Sequence, residues 1–260
     1  MRKQLNELAF DEINQESAYW IGFLMSDGCI SEVGSSKQIS VHIGIEDIDH
    51  LYKFKKFLSA EHDVRTTKYG KSVQFSFCSN TIAGRLARFG VVPRKSLTAK
   101  VLELESNLDF WRGMVDGDGT VGVWGNSPHI QLCGSKDCVG QFCNFASRIC
   151  ETKAKPSATR TLWKVDIAAK KATNLISHLY KDATIYLARK FEKAKYIIEH
   201  PELCPGTSGS HHRPSAKLDW EEVDLIRSLK GAVTQKDIAS RFGLHIETVG
   251  LIHRGKTWIR

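Results

Sequence analysis

Two carboxylates pose the first chemical question. Asp27 closes the stretch WIGFLMSDG (20–28) and Asp118 closes WRGMVDGDG (111–119). Each follows a run suited to a buried helix, so each acid stands at the negative end of a helix dipole. Gly22 and Ser26 are four residues apart, as are Gly113 and Gly117. On a helix each pair lies on one face, one turn apart, where small residues let two backbones approach closely. If the two stretches pack on each other, Asp27 and Asp118 emerge side by side, a like-charge penalty of about a few kcal/mol unless something positive lies between them. A divalent cation answers that need, with the Ser26 and Gly117 carbonyls as additional oxygen ligands. Hard oxygen donors without His or Cys suit Mg²⁺ rather than zinc. Such a centre is fitted to in-line cleavage of a phosphodiester.

The elements that must position these acids repeat. With a shift of 91 residues, Trp20 falls on Trp111, Gly22 on Gly113, Asp27 on Asp118 and Gly28 on Gly119. The register continues through Ile39 on Ile130, Val41 on Leu132, Leu51 on Phe142 and Phe54 on Phe145. One register held across a helix, a strand and a second helix indicates internal duplication. Asp116 falls on Met25 and has no counterpart, which gives it a supporting or structural part. The glycine after each acid is read as allowing a sharp helix exit.

Each half reads αββαββα. After the first helix, strands are expected over 29–33 and 38–46, and over 120–125 and 129–135, with alternating residues such as Ile39, Val41, Ile43 and Ile45 on the buried face. Amphipathic helices follow over 47–60 and 137–150. Second hairpins are expected over 62–69 with 72–78 and over 153–160 with 162–168. Closing helices are expected over 80–89 and, unbroken, from Lys171 to about Glu199. The chain therefore reads as α+β: a first repeat over 1–105, a second over 106–199, a linker over 200–216 rich in Pro, Gly and Ser, and a small all-α helix-turn-helix domain over 217–260. In that last segment helices are expected over 218–229, 234–242 and 245–253, with a turn at Gly243-Leu244.

The 37 Lys and Arg against 29 Asp and Glu leave a net charge of +8, which favours a polyanionic partner, nucleic acid before membrane. No apolar run reaches the length of a membrane span, and the first residues lack a signal-peptide stretch, so the expected location is cytoplasmic (bacterial or phage) or organellar rather than secreted. The seven cysteines lack CxxC spacing and read as reduced thiols. His200, Cys204, His211 and His212 read as linker rather than as a metal site.

The two stretches resemble the paired signature motifs of monomeric, two-repeat LAGLIDADG homing endonucleases, and the resemblance runs from about residue 14 to residue 199. It includes Arg94-Lys95-Ser96 and LYKDATIYLARKFEKA (179–194). It implies a saddle of antiparallel strands lying on double-stranded DNA, with the motif helices on a pseudo-two-fold axis. It also implies that Asp27 and Asp118 hold two or three Mg²⁺ ions, each acid near one scissile phosphate across the minor groove, giving short 3′ overhangs. Mn²⁺ or Ca²⁺ would substitute in binding. Family members place a Lys or Gln near the scissile phosphates; Lys95 and Lys190 are the candidates here, with solvated or phosphate-anchoring lysines as their other reading.

A strand alternates its faces, and the face not packed on helices can lie in a major groove. The outward candidates are Ser31, Ser40, His42, Arg65, Thr67, Gln74, Ser76, Gln131, Lys153, Lys155, Lys164 and Asp166. The halves differ at nearly all of them, so the target is expected to be long and pseudo-palindromic or asymmetric. In the tail, His245, Glu247 and Thr248 are placed to enter a major groove, with Arg254 and Lys256 on phosphate. A maturase assisting intron RNA, and a DNA-binding regulator that does not cut, are the alternative functions; retention of both acids favours cleavage.

Overall fold

The computed structural model describes residues 3–67, 69–203 and 218–258. The chain divides into two compact units, Met1–Cys204 and Pro205–Arg260. Cys204, His211, His212 and the rest of 204–217 lie outside the described residues. Among the described residues no helix is long and apolar enough to cross a membrane.

The first unit is built twice over. Helix α1 (Gln15–Ser26) leads into strands β1 (Gly28–Val33) and β2 (Ser36–Gly44), helix α2 (Ile48–Phe57), strands β3 (Val64–Thr66) and β4 (Ser72–Cys78), and helix α3 (Asn80–Arg88). The series repeats as α4 (Leu108–Asp118), β5 (Gly119–Trp124), β6 (Ser127–Gly134), α5 (Lys136–Cys150), β7 (Ser157–Ala158), β8 (Trp163–Ala168) and α6 (Ala169–Tyr180), with α7 (Ala188–Glu199) added. Each half forms one four-stranded antiparallel sheet, in the orders β1-β2-β4-β3 and β5-β6-β8-β7. The duplication extends to register: Gly28 pairs with Val41 and Gly119 with Leu132. The residues matched by the 91-residue shift, Ile39 and Ile130, Leu51 and Phe142, Phe54 and Phe145, all lie in one shared core.

Asn14 and Asn107 start the two motif helices by accepting N–H groups of the first turn, those of Glu16 and Ser17 in α1 and that of Phe110 in α4. The helices then pack directly on each other. A methyl group added at Gly22 would run into the Phe110 carbonyl, and one at Gly113 into the Tyr19 carbonyl. The helix crossing is therefore closed to any side chain larger than hydrogen at these two positions. The glycines after the acids make the expected sharp exit without entering the left-handed conformation. Gly119 has an extended backbone (φ −90°), and Gly28 is not in the left-handed region either. Both are needed because a Cβ would strike the carbonyl one turn back, that of Leu24 or Val115.

Three expectations are corrected. The second hairpins are shorter than 62–69 and 153–160, leaving β3 with three residues and β7 with two. Before β7, Pro156 has no N–H to give a ladder. Lys153 and Lys155 consequently sit, exposed, on an irregular segment ahead of the strand. The closing helix of the second repeat is not continuous; it breaks over residues 181–187. The break is held by polar groups of α4: the Arg112 guanidinium donates to the carbonyls of Leu179 (3.1 Å) and Ile185 (2.8 Å), and Asp116 accepts the Leu187 N–H (2.7 Å).

Among its described residues the second unit has three helices: α8 (Trp220–Ser228), α9 (Gln235–Phe242) and α10 (Ile246–His253). Asp219 and Glu222 form a reciprocal cap on α8, and Thr234 caps α9. Gly243 ends α9 in the left-handed conformation (φ 63°), which turns the chain into α10. Val223, Ile226, Ile238, Ala239, Val249 and Ile252 supply its core.

Substitution by alanine separates the two kinds of helical glycine. Gly22→Ala or Gly113→Ala should lower the free energy of unfolding by about 1–3 kcal/mol or more, because backbone must move. Gly84→Ala in α3 and Gly140→Ala in α5 meet open space and should be neutral or stabilising by up to about 1 kcal/mol. Thermal unfolding of the four variants checks this; equal effects in both pairs would refute the close-approach argument.

Candidate active site

The packing of α1 on α4 brings the two acids to one end of the helix pair. Asp27 is the C-cap of α1 and Asp118 the last residue of α4. A Cβ at Gly117 would come within 3.2 Å of Asp27 Oδ2, so the Asp27 carboxyl lies against the end of the partner helix. Asp27 is half-buried and Asp118 the more exposed of the two. Burial, then the charge of Asp118, pushes the Asp27 carboxyl up to about 6; Lys190, Lys95 and Arg189 oppose the rise. Burial also raises Asp118, again against Lys95 and Lys190.

The two lysines are buried and committed to backbone. Lys190 Nζ donates to the carbonyls of Val115 (2.7 Å), Asp116 (2.6 Å), Gly117 (2.9 Å) and Gly119 (2.7 Å). These include last-turn carbonyls that α4 leaves without internal partners, so one ammonium both caps the helix and opposes its dipole. The Lys190 ammonium is lowered to about 8, by burial first. Lys95 Nζ donates to the Gly28 carbonyl, and burial lowers it too. It stands on a single 3-10 turn (Lys95–Leu97) introduced by Arg94 in the left-handed conformation. The Gly117 carbonyl, expected as a metal ligand, thus already accepts a lysine proton. Ser26 turns its hydroxyl back to the Phe23 carbonyl (3.0 Å). The positive charge required by the paired acids comes in part from the chain itself.

Behind the acids lies a network with no sign in the sequence beyond the unmatched Asp116. That carboxylate is fully buried and accepts from Tyr19 Oη (2.7 Å), Tyr180 Oη (2.6 Å) and the Leu187 N–H. Burial raises Asp116, while these donors pull it back. Because the Tyr19 hydroxyl donates its hydrogen bond to Asp116, it accepts from His50 Nε2 (3.0 Å). His50 is held neutral, lowered to about 3 by burial. The expected supporting part of Asp116 is thereby specified: it ties α1, α6 and the start of α7 together, and α7 carries Lys190. Arg189 donates to Asp47 (2.8 Å) in the other repeat, so the Arg-Lys pairs at 94–95 and 189–190 are alike in sequence but not in use. Tyr19, Tyr180, Arg112 and His50 were legible only as core or helix residues. Among the described residues no group of three or more His, Cys, Asp or Glu side chains is placed to hold a metal ion.

No family model matches this sequence, and no curated protein does. Solved structures match its fold. The LAGLIDADG meganuclease I-AabMI bound to uncleaved DNA aligns with a TM-score of 0.53 at 12% identity, over 86% of this chain and 100% of that one. The meganuclease I-SmaMI bound to uncleaveable DNA gives 0.51 at 11% identity, over 84% and 98%. The I-LtrWI LAGLIDADG homing endonuclease bound to target DNA gives 0.51 at 10% identity, over 85% and 99%. The chain has the duplicated LAGLIDADG saddle fold.

On that saddle the outward sheet positions form rows. In the first sheet Arg65, Gln74 and His42 stand side by side, and so do Ser76, Ser40 and Cys29; Ser31 pairs with Gln38. His42 is tied to Ser72 (3.0 Å), which also meets Thr67 (2.9 Å). In the second sheet Thr120, Gln131 and Asp166 form a row, as do Ser157, Lys164 and Cys133. Lys153 and Lys155 are exposed but off this ladder. Gln38, Thr120, Trp124 and His129 share the outward face and were missed, although strict period-two counting from their neighbours would have found them. In the separate C-terminal unit His245, Glu247, Arg254 and Lys256 are exposed and Thr248 is half-buried, all at or just beyond the ends of α10.

The Asp27 environment gives a signed pH dependence. The native carboxyl keeps its proton to about 6 whereas the unfolded one loses it near 3.8. The native state therefore binds more protons between those values, and stability falls as pH rises through the window, remaining lower above it. In chelator, Asp27→Asn should remove about 1–2 kcal/mol of that fall, solvent screening allowed for. Unfolding at pH 4 and pH 7 tests it; parallel curves for wild type and variant would show that Asp27 carries no such strain.

Proposed function

We propose that the chain is a site-specific double-strand DNA endonuclease of the homing type, hydrolysing one phosphodiester in each strand across the minor groove with Mg²⁺ and leaving short 3′ overhangs. One observation carries this reading: two carboxylates, raised by burial, emerge together at the ends of a closely packed helix pair, each directly before the first strand of its sheet. The donor chemistry fits the metal. The acids are short of positive charge, the neighbouring lysines are spent on carbonyls, and the available donors are oxygens. Mg²⁺ takes one or two protein carboxylates and completes its shell with water and phosphate oxygens, so a site of two acids suffices. Asp27 and Asp118 would hold two or three such ions, with Mn²⁺ or Ca²⁺ able to replace them in binding, and the Ser26 carbonyl is the helix-end oxygen still proposed as a ligand. Bound there, the metal supplies a more acidic water and neutralises the scissile phosphate. Lys190 holds the end of α4, and with it Asp118, in place; Lys95 does the same for the start of β1.

The two sheet faces supply recognition in the major groove, Arg65, Gln74 and Gln131 on base edges and lysines such as Lys153, Lys155 and Lys164 on phosphate. Because the faces differ, the site is long and pseudo-palindromic or asymmetric, and one chain supplies both halves. The C-terminal unit acts as a helix-turn-helix, its α10 N-terminus (His245, Glu247, Thr248) in a further groove and Arg254 and Lys256 on phosphate, raising local concentration through a linker.

Purified protein with Mg²⁺ and a randomised duplex library, read by sequencing cut ends, tests the reading. Asp27→Asn and Asp118→Asn should each abolish double-strand cleavage, with bound DNA recovered as from wild type; full cutting by either would remove the metal assignment. Binding without cutting by wild type would point to a regulator, and preference for intron RNA over DNA to a maturase. Truncation after Glu199 should weaken binding about tenfold or more with unchanged cut positions; displaced cuts would show that the tail sets the register.

A further inference from the structure

A single carboxylate interrupts the otherwise neutral and basic outward faces. Among the described strand residues on those faces, Asp166 is the one acid: its row contains Thr120 and Gln131, and the corresponding row of the first sheet is Cys29, Ser40 and Ser76. Ser76 holds the place of Asp166. Asp166 is also held. His129 Nδ1 lies 2.9 Å from Asp166 Oδ1, and the His129 ring meets the Trp124 ring edge-on, with centroids 4.5 Å apart at 74°. The first sheet has Gln38 and Val33 where the second has His129 and Trp124. The second oxygen, Asp166 Oδ2, has no protein partner among the described residues, and the side chain is 39% exposed.

A fixed acid facing a polyanion is repelled by every phosphate, and a donor on the nucleic acid offsets that cost in a way that depends on sequence. In a major groove the donors on base edges are exocyclic amino groups, cytosine N4 and adenine N6. Adenine sets its N7 acceptor beside N6, which opposes a carboxylate; cytosine offers the amino group without that neighbour. We propose that Asp166, positioned by His129 and Trp124, is a specificity-determining residue that accepts from cytosine N4 in the half-site under the second sheet. The proposal rests on the endonuclease reading above. Gln131 beside it is free to read the adjoining base pair, and the Ser76 position gives the other half-site no equivalent demand.

The test is a selection of bound duplexes by the full chain with Ca²⁺, comparing wild type, Asp166→Asn, Asp166→Ala and His129→Ala, with thermal unfolding as the folding control. Wild type should select cytosine at one base pair of the second half-site by about tenfold or more over other bases. Asp166→Asn exchanges one acceptor for a donor, matching adenine N7 and N6, and should move that one position from cytosine to adenine. Asp166→Ala should flatten it, and His129→Ala should weaken it without moving it. An unchanged cytosine preference in Asp166→Ala, or tighter binding to all sequences with no change in profile, overturns the proposal and leaves the endonuclease reading standing. Failure of folded wild type to bind any duplex overturns both.

Discussion

The contact between α1 and α4 governs the rest of the molecule. Gly22 and Gly113 bring the helix backbones together, and that approach decides where the two chain halves meet, where each first strand starts and where the two acids end up. It also creates the electrostatic problem at the site. Two carboxylates and two helix C-termini share one end of a packed pair; burial raises both Asp27 and Asp118, and the charge of Asp118 adds to the rise at Asp27.

The chain answers the problem unequally in its two halves. In the second, Lys190 reaches four carbonyls at the end of α4, and its own helix is anchored through Asp116 to Tyr19 and Tyr180. In the first, Met25 stands where Asp116 would be, and Lys95 reaches a single carbonyl, that of Gly28, from a short turn. A duplicated backbone thus carries two differently braced acids. The buried Asp116 accepts three hydrogen bonds, which is what allows a carboxylate to remain in a core at all. Removing one partner would leave a buried acid short of a hydrogen bond, so the network helps to hold the break between α6 and α7.

The sheets show the same division between shared core and divergent surface. Inward positions match across the repeats because both halves pack helices on the same face of the same strand order. Outward positions are free of that constraint, and there serine and glutamine in one half stand opposite lysine, aspartate and histidine in the other.

The sequence by itself determined the duplication, the α+β order, the place of Asp27 and Asp118 at the ends of the paired helices and most of the alternating strand faces. These follow from local periodicity and from a motif repeated at one constant shift. What only the tertiary structure decided is how distant polar groups find each other. A run from Lys171 to Glu199 looks like one helix because its apolar spacing is helical throughout; it breaks because Arg112 and Asp116, about seventy residues earlier, bind its carbonyls and an N–H. Lys190 looks like a catalytic or phosphate-binding lysine because it is a cation near the motif acids, yet its ammonium is buried against the end of α4. The edge strands shrink because pairing length depends on what the neighbouring strand and Pro156 can offer. Periodicity reports what a segment buries; it carries no information about which remote donor or acceptor will satisfy a group once it is buried.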